Sequence, residues 1–146
     1  MGLILWIAPV IAVLLSRIVN NTKALHIISV CASFVLLLAA GFATKHVILY
    51  DTLAYKFFGE AFFIDAVSII VLDIVILIGF LAGIYSIGYL NEELKHEKIN
   101  HKKIKFYYSM MYVFMFSMIF ALTVKNIGIM WVAIEATTLA SAFLVG

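Results

Sequence analysis

A chain of 146 residues that is 66% hydrophobic and 12% charged, with a mean hydropathy of +1.16, excludes a water-soluble globular domain. Such domains average about 25% charged and ~45–50% apolar residues, and a chain this short has no core large enough to hide the excess. The formal charge of +2 gathers mainly in one loop, which argues against a nucleic-acid partner.

Five stretches read as membrane spans by length and polarity, so the expected fold is all-α: a polytopic membrane protein forming one membrane domain, 1–146. The first span is Gly2 to Val19, closed by Arg17 and the polar Asn20, Asn21, Thr22 and Lys23. It lacks the basic n-region of a secretory signal and runs apolar for longer than an h-region of ~7–15 residues, so it reads as an uncleaved helix. Pro9 lies inside it as a candidate kink, and Trp6 spoils a myristoylation pattern.

The second span is Ile27 to Thr44, with the lone Cys31 at mid-span as a small packing residue. One cysteine excludes an in-chain disulfide and a cysteine-held iron–sulfur cluster. His26, His46, His96 and His101 fall in or beside loops with no metal-ligand spacing, and no phosphate-binding glycine loop is present. No metal or cofactor site is therefore expected in this chain.

The third span, about Ala61 to Leu90, holds two acids. Asp65, near its end, suits a helix cap, with a proton-path role as the alternative. Asp73 lies eight residues on, ~12 Å deeper and ~80° around the helix, so the two do not form one pair. A carboxylate that deep needs a partner, water or a proton. Gly79 and Gly83 form a G-x-x-x-G suited to close helix approach. Tyr85 and Tyr89, with Tyr107, Tyr108 and Tyr112 of the fourth span, Phe106 to Val124, suit an interfacial aromatic belt. Met110, Met111, Met115 and Met118 read as adaptable packing.

Positive charge sets the expected orientation. Arg17, Lys23, Lys95, Lys98, Lys102, Lys103 and Lys105 lie in loops one and three, against Lys45, Lys56 and Lys125 in loops two and four. Seven against three places the first set in the cytoplasm and the N-terminus outside the cell membrane. The third loop, NEELKHEKINHKKIK, reads as a solvated connector, with contact to anionic lipid or a peripheral subunit as the alternative.

The fifth span, Ile127 to Gly146, is uncharged except for Glu135. A mid-membrane carboxylate costs at least ~2.5–3.5 kcal/mol, so it marks an ion or proton path, a buried ion pair, or a protonated side chain packed between helices. Gly128, Trp131, Thr138 and Ala142 fall within about 60° of its direction, a small, polar and aromatic face suited to a protein interior. Lys125 and Asn126 mark its outer mouth, and Lys125 is placed to snorkel toward headgroups rather than pair with Glu135.

These residues carry a resemblance. IGIMWVAIEATTLASAFLVG resembles the fifth helix of the antiporter-like subunits of respiratory complex I, membrane-bound hydrogenases and multi-subunit sodium/proton antiporters, above all the F component of hydrogenase 4-type complexes. FFIDAVSIIVLDIVILIGFLAGIYSIGYL resembles the family's third helix, an aspartate-x-x-serine followed by tyrosine-serine-x-glycine-tyrosine. FYYSMMYVFMFSMIFALTVKNIGIMW resembles its fourth helix and following turn, so the likeness runs from about Phe62 to Gly146.

The resemblance implies a proton- or sodium-translocating subunit that couples ion movement to electron transfer in a hydrogenase or NADH:quinone oxidoreductase-type complex. Its partners would be other membrane subunits and peripheral redox subunits, the latter carrying iron–sulfur clusters and nickel–iron or flavin. Glu135 matches the family's fifth-helix glutamate, which pairs with a lysine on the broken seventh helix, and Asp65 and Ser68 match the third-helix motif. Asp73 has no counterpart in that pattern. The family fold has about fourteen helices in two inverted repeats, so the expectation here is the N-terminal part of a larger subunit. The alternatives from other classes are a small membrane scaffold or assembly protein with a protonated Glu135, and a fragment of a solute transporter.

Overall fold

The computed structural model describes residues 2–19, 21–57, 60–95 and 100–145. Among them the elements run α1 (Gly2–Ile18), α2 (Thr22–Tyr50), β1 (Leu53–Phe57), β2 (Glu60–Ile64), α3 (Ala66–Lys95), α4 (His101–Thr123) and α5 (Ile127–Val145). Four of these helices, α2 to α5, are long and apolar enough to cross a membrane, while α1 is a shorter apolar helix. At 1.5 Å per residue α1 is ~26 Å long, just under the ~30 Å hydrocarbon core.

Several boundaries differ from the sequence reading, with α3 running on to Lys95 rather than Leu90 and α4 starting at His101 rather than Phe106. The second helix is not confined to Ile27–Thr44 but spans 29 residues, taking in His26, Lys45 and His46. The reason is where the stop signals lie. Asn21 caps the start by accepting the Lys23 N–H at 3.1 Å, and Asp51, at φ 63°, ends the helix in the left-handed region that short polar side chains tolerate. Nothing between breaks the helix, since Lys and His cost little at its ends. The third helix begins at Ala66 rather than Ala61, because the residues before it form an antiparallel hairpin in register Leu53↔Ile64 to Phe57↔Glu60. Alternation explains the strands: Leu53, Phe62 and Ile64 are buried, whereas Ala54 and Phe63 are exposed. Residues 96–99 of the charged loop, including His96 and Lys98, lie outside the described residues, as do Asn20 and Gly146.

Among the described residues, four helix pairs build most of the bundle. Helix α1 packs on α2 and α4, α2 packs on α3, and α5 joins through α4. At the hairpin end, Trp6 of α1 meets Phe62 edge-on at 4.2 Å between centroids and Phe120 of α4 at 4.7 Å. A backbone bridge from Phe62 to Val124 fastens the hairpin to the end of α4. The expected close approach at the G-x-x-x-G is present: a Cβ at Gly79 would strike the flexible end of Met115, and one at Gly83 would lie 3.2 Å from Ser33 Oγ. Met111 and Met115 are buried packing residues. Cys31, expected to pack, is instead exposed in an apolar groove of about 380 Å³ between α1 and α2.

Candidate functional site

Helix α5 presents two unlike faces. Ala133 and Ala140 are its buried residues, one heptad apart, and Thr137 between them donates a 3.1 Å hydrogen bond to Ser117 Oγ of α4. Small residues let the two backbones approach, and the hydroxyl pair ties them. At 100° per residue Glu135 points about 140–160° away from that seam. Glu135, Gly128, Trp131, Thr138 and Ala142 are all exposed, Trp131 by 66%. Among the described residues no hydrogen bond or ion pair reaches the Glu135 carboxylate. The Thr138 hydroxyl turns back to Ile134 O at 3.2 Å. Lys125 is exposed at the start of α5, with its ammonium 6.0 Å from the centre of the Phe63 ring rather than beside Glu135. Asn126 opens the helix by accepting the Gly128 N–H at 3.0 Å.

The other two acids stand apart from Glu135. Asp65 sits immediately before α3 and accepts the Ser68 N–H at 2.7 Å, the N-cap geometry its position suggests. That backbone hydrogen bond, aided by one from the Ser68 hydroxyl, holds its carboxyl below the usual range by favouring the charged form. Ser68 therefore belongs to the cap. Asp73 is half-buried on α3 and accepts a 2.7 Å hydrogen bond from Thr44 of α2. The Thr44 hydroxyl also lies 2.9 Å from Ala40 O, so Asp73 has found a partner within the bundle. Asp65 caps the helix that carries Asp73, Glu135 lies on α5, and none of the three bonds another. Among the described residues no three His, Cys, Asp or Glu side chains converge as metal ligands.

A polar seam that sequence reasoning missed runs between α2 and α4. His26, expected beside a loop, is 6% exposed inside the bundle. Its Nδ1 lies 2.6 Å from Tyr108 Oη, and its Nε2 lies 3.2 Å from Asn91 Oδ1 of α3. One turn deeper, Tyr112 donates to Ser29 O at 2.6 Å, with the Ser29 and Ser33 hydroxyls 3.1 and 3.0 Å from its oxygen. Tyr108 and Tyr112 are thus core residues, not members of an interfacial belt, whereas Tyr85 and Tyr89 are exposed as expected. Burial in an apolar bundle demands a partner for each hydroxyl, and α2 supplies them. The signal was present as His26, Ser29 and Ser33 at i, i+3 and i+7, facing Tyr108 and Tyr112 at i and i+4.

Comparison with known proteins agrees with this architecture. The family described as NADH-ubiquinone oxidoreductase (complex I), chain 5 N-terminus, matches residues 58–98, which include Asp65, Ser68 and Asp73. The chain is 34% identical over 88 residues to a hydrogenase-4 component F homolog of Methylacidiphilum infernorum. That match covers 60% of this chain and 18% of the relative, so the matched segment spans under a fifth of the relative's length. Over those residues the chain is similar to the complex I chain 5 N-terminal family and to a hydrogenase-4 component F homolog, and its four long apolar helices accord with a membrane subunit of that kind.

Proposed function

We propose that the chain is a segment of an antiporter-like subunit that translocates protons or sodium ions, coupled to electron transfer in a membrane-bound hydrogenase or NADH:quinone oxidoreductase-type complex. One observation carries the reading. Glu135 stands on the uncovered face of α5, a helix apolar enough to cross a membrane, with no partner among the described residues. A carboxylate left facing lipid costs ~2.5–3.5 kcal/mol or more, so a further membrane helix covers that face in the working protein. A cation on the covering helix would stabilise ionised Glu135, and proton arrival or departure would then change the pairing. Trp131 and Thr138 flank the carboxylate on the same face, and Lys125 stands at its mouth.

In this reading the N-terminus is outside the cell membrane, the lysine-rich loops are cytoplasmic, and peripheral redox subunits carry the iron–sulfur clusters with nickel–iron or flavin. Asp65 and Ser68 cap α3, and Asp73 is a secondary candidate for the ion path. The test is Glu135→Gln in the assembled complex. It keeps size and hydrogen bonding but removes the titratable proton. Assembly should be normal and fewer ions should move per electron, while Glu135→Asp keeps part of the activity. Normal pumping by a fully assembled Gln variant overturns the assignment.

A further inference from the structure

At the end of the bundle opposite the hairpin, a cleft of about 310 Å³ opens between the last turn of α1 and the first turns of α4, lined by Arg17, Lys102, Lys105, Phe106 and Ser109. We propose that this cleft binds the phosphodiester headgroup of an anionic phospholipid. The α4 residues stand at i, i+3, i+4 and i+7, so they share one face, with Ser109 ~10 Å deeper than Lys102. Lys105 donates to Arg17 O at 3.3 Å, which holds the α4 cations against the end of α1.

Two further features call for an anion. The start of α4 is the positive end of its dipole, yet its first turn holds no acid and Asn100 makes no side-chain cap. At the inner end Ser109 is 1% exposed and its hydroxyl has no hydrogen-bond partner, an uncommon state for a buried polar group. The phosphate of a lipid supplies acceptors at the start of α4, and the acyl-ester carbonyls that lie deeper in the same molecule supply one for the Ser109 hydroxyl. The occupant is a lipid rather than a free anion because of what lies beside the basic mouth. Val10 and Leu14 share the face of α1 that carries Arg17, and they and Phe106 of α4 are exposed, on helices bound for the bilayer. A ligand filling the cleft must carry hydrocarbon below its charge.

The protein, isolated in its native assembly, can be reconstituted in nanodiscs of phosphatidylcholine mixed with phosphatidylglycerol, and its retained lipids counted by mass spectrometry. Phosphatidylglycerol should be retained over phosphatidylcholine. Arg17→Gln and Lys102→Gln should each lower that preference about fivefold, the effect of one basic residue at a membrane surface. Ser109→Ala should lower it less, and Lys102→Arg should preserve it. Lys103, which lines a neighbouring cleft with Tyr89 and Glu93, provides the control. A Lys103→Gln effect as large as that of Lys102→Gln would mean a general surface attraction and overturn the site. Equal retention of both lipids by the unaltered protein would do the same. Displacement of phosphatidylglycerol by inorganic phosphate at unchanged ionic strength would assign the cleft to a free anion instead.

Discussion

Thr44 on α2 donates a 2.7 Å hydrogen bond to Asp73 on α3. That bond separates the two deep acids of this chain by circumstance. Asp73 is held by a neighbour in the bundle, whereas Glu135 faces away from the helix that α5 packs on. Asp73→Asn keeps an acceptor for the Thr44 hydroxyl, so it should reduce ion movement less than Glu135→Gln does, measured in vesicles at equal rates of electron transfer. Thr44→Val should harm the protein more than Asp73→Asn, since it strands the carboxylate. Equal or greater loss of pumping in Asp73→Asn would put the essential relay on α3.

The His26–Tyr108 pair makes a stability prediction. Tyr108→Phe removes the partner of His26 Nδ1 inside the bundle, and an unsatisfied buried group costs ~1–3 kcal/mol. Tyr112→Phe takes the Tyr112 partner from the Ser29 and Ser33 hydroxyls and should cost a similar amount. Tyr85→Phe, at an exposed position, should be close to neutral. Thermal unfolding of the purified protein in one detergent orders the three.

Asp65 tests whether capping accounts for its presence. Asp65→Asn and Asp65→Ser keep an oxygen for the Ser68 N–H and should retain most of the stability, whereas Asp65→Ala should lose about 0.5–2 kcal/mol. Since the Asp65 carboxyl is held below its ordinary range when folded, its contribution is present above the unfolded carboxylate pKa and fades as pH falls through the folded one. Acid destabilisation over that window should be smaller in Asp65→Asn than in the unaltered protein.

Topology can be read by labelling. Cys31 is exposed and must first be replaced by alanine, or it will report from the α1–α2 groove. Single cysteines at Asn100 and Thr52, both exposed, should then label from the cytoplasmic and outer sides respectively. Reversed labelling would overturn the orientation drawn from lysine and arginine counts.

Hydropathy alone determined that this chain is a membrane protein of apolar helices, because that property is a sum over consecutive residues and needs no knowledge of neighbours. Local chemistry reached further in places. Asp65 read as a cap and is one, and the two glycines read as close-approach positions and are, whereas the face around Glu135, read as suited to a protein interior, is exposed among the described residues. Pairing was a different matter. In a bilayer helix every side is apolar, so no amphipathic stripe announces which face meets protein and which meets lipid. Only the packed structure turned His26, Ser29 and Ser33 toward Tyr108 and Tyr112, gave Asp73 its threonine, and left Glu135 and Cys31 outward. The hairpin escaped the sequence reading for a related reason. Phe62, Phe63 and Ile64 are apolar enough for a span, and what makes them strand is the pairing with Tyr55, Ala54 and Leu53 and the fit of Phe62 against Trp6, the latter a contact between residues far apart in the chain.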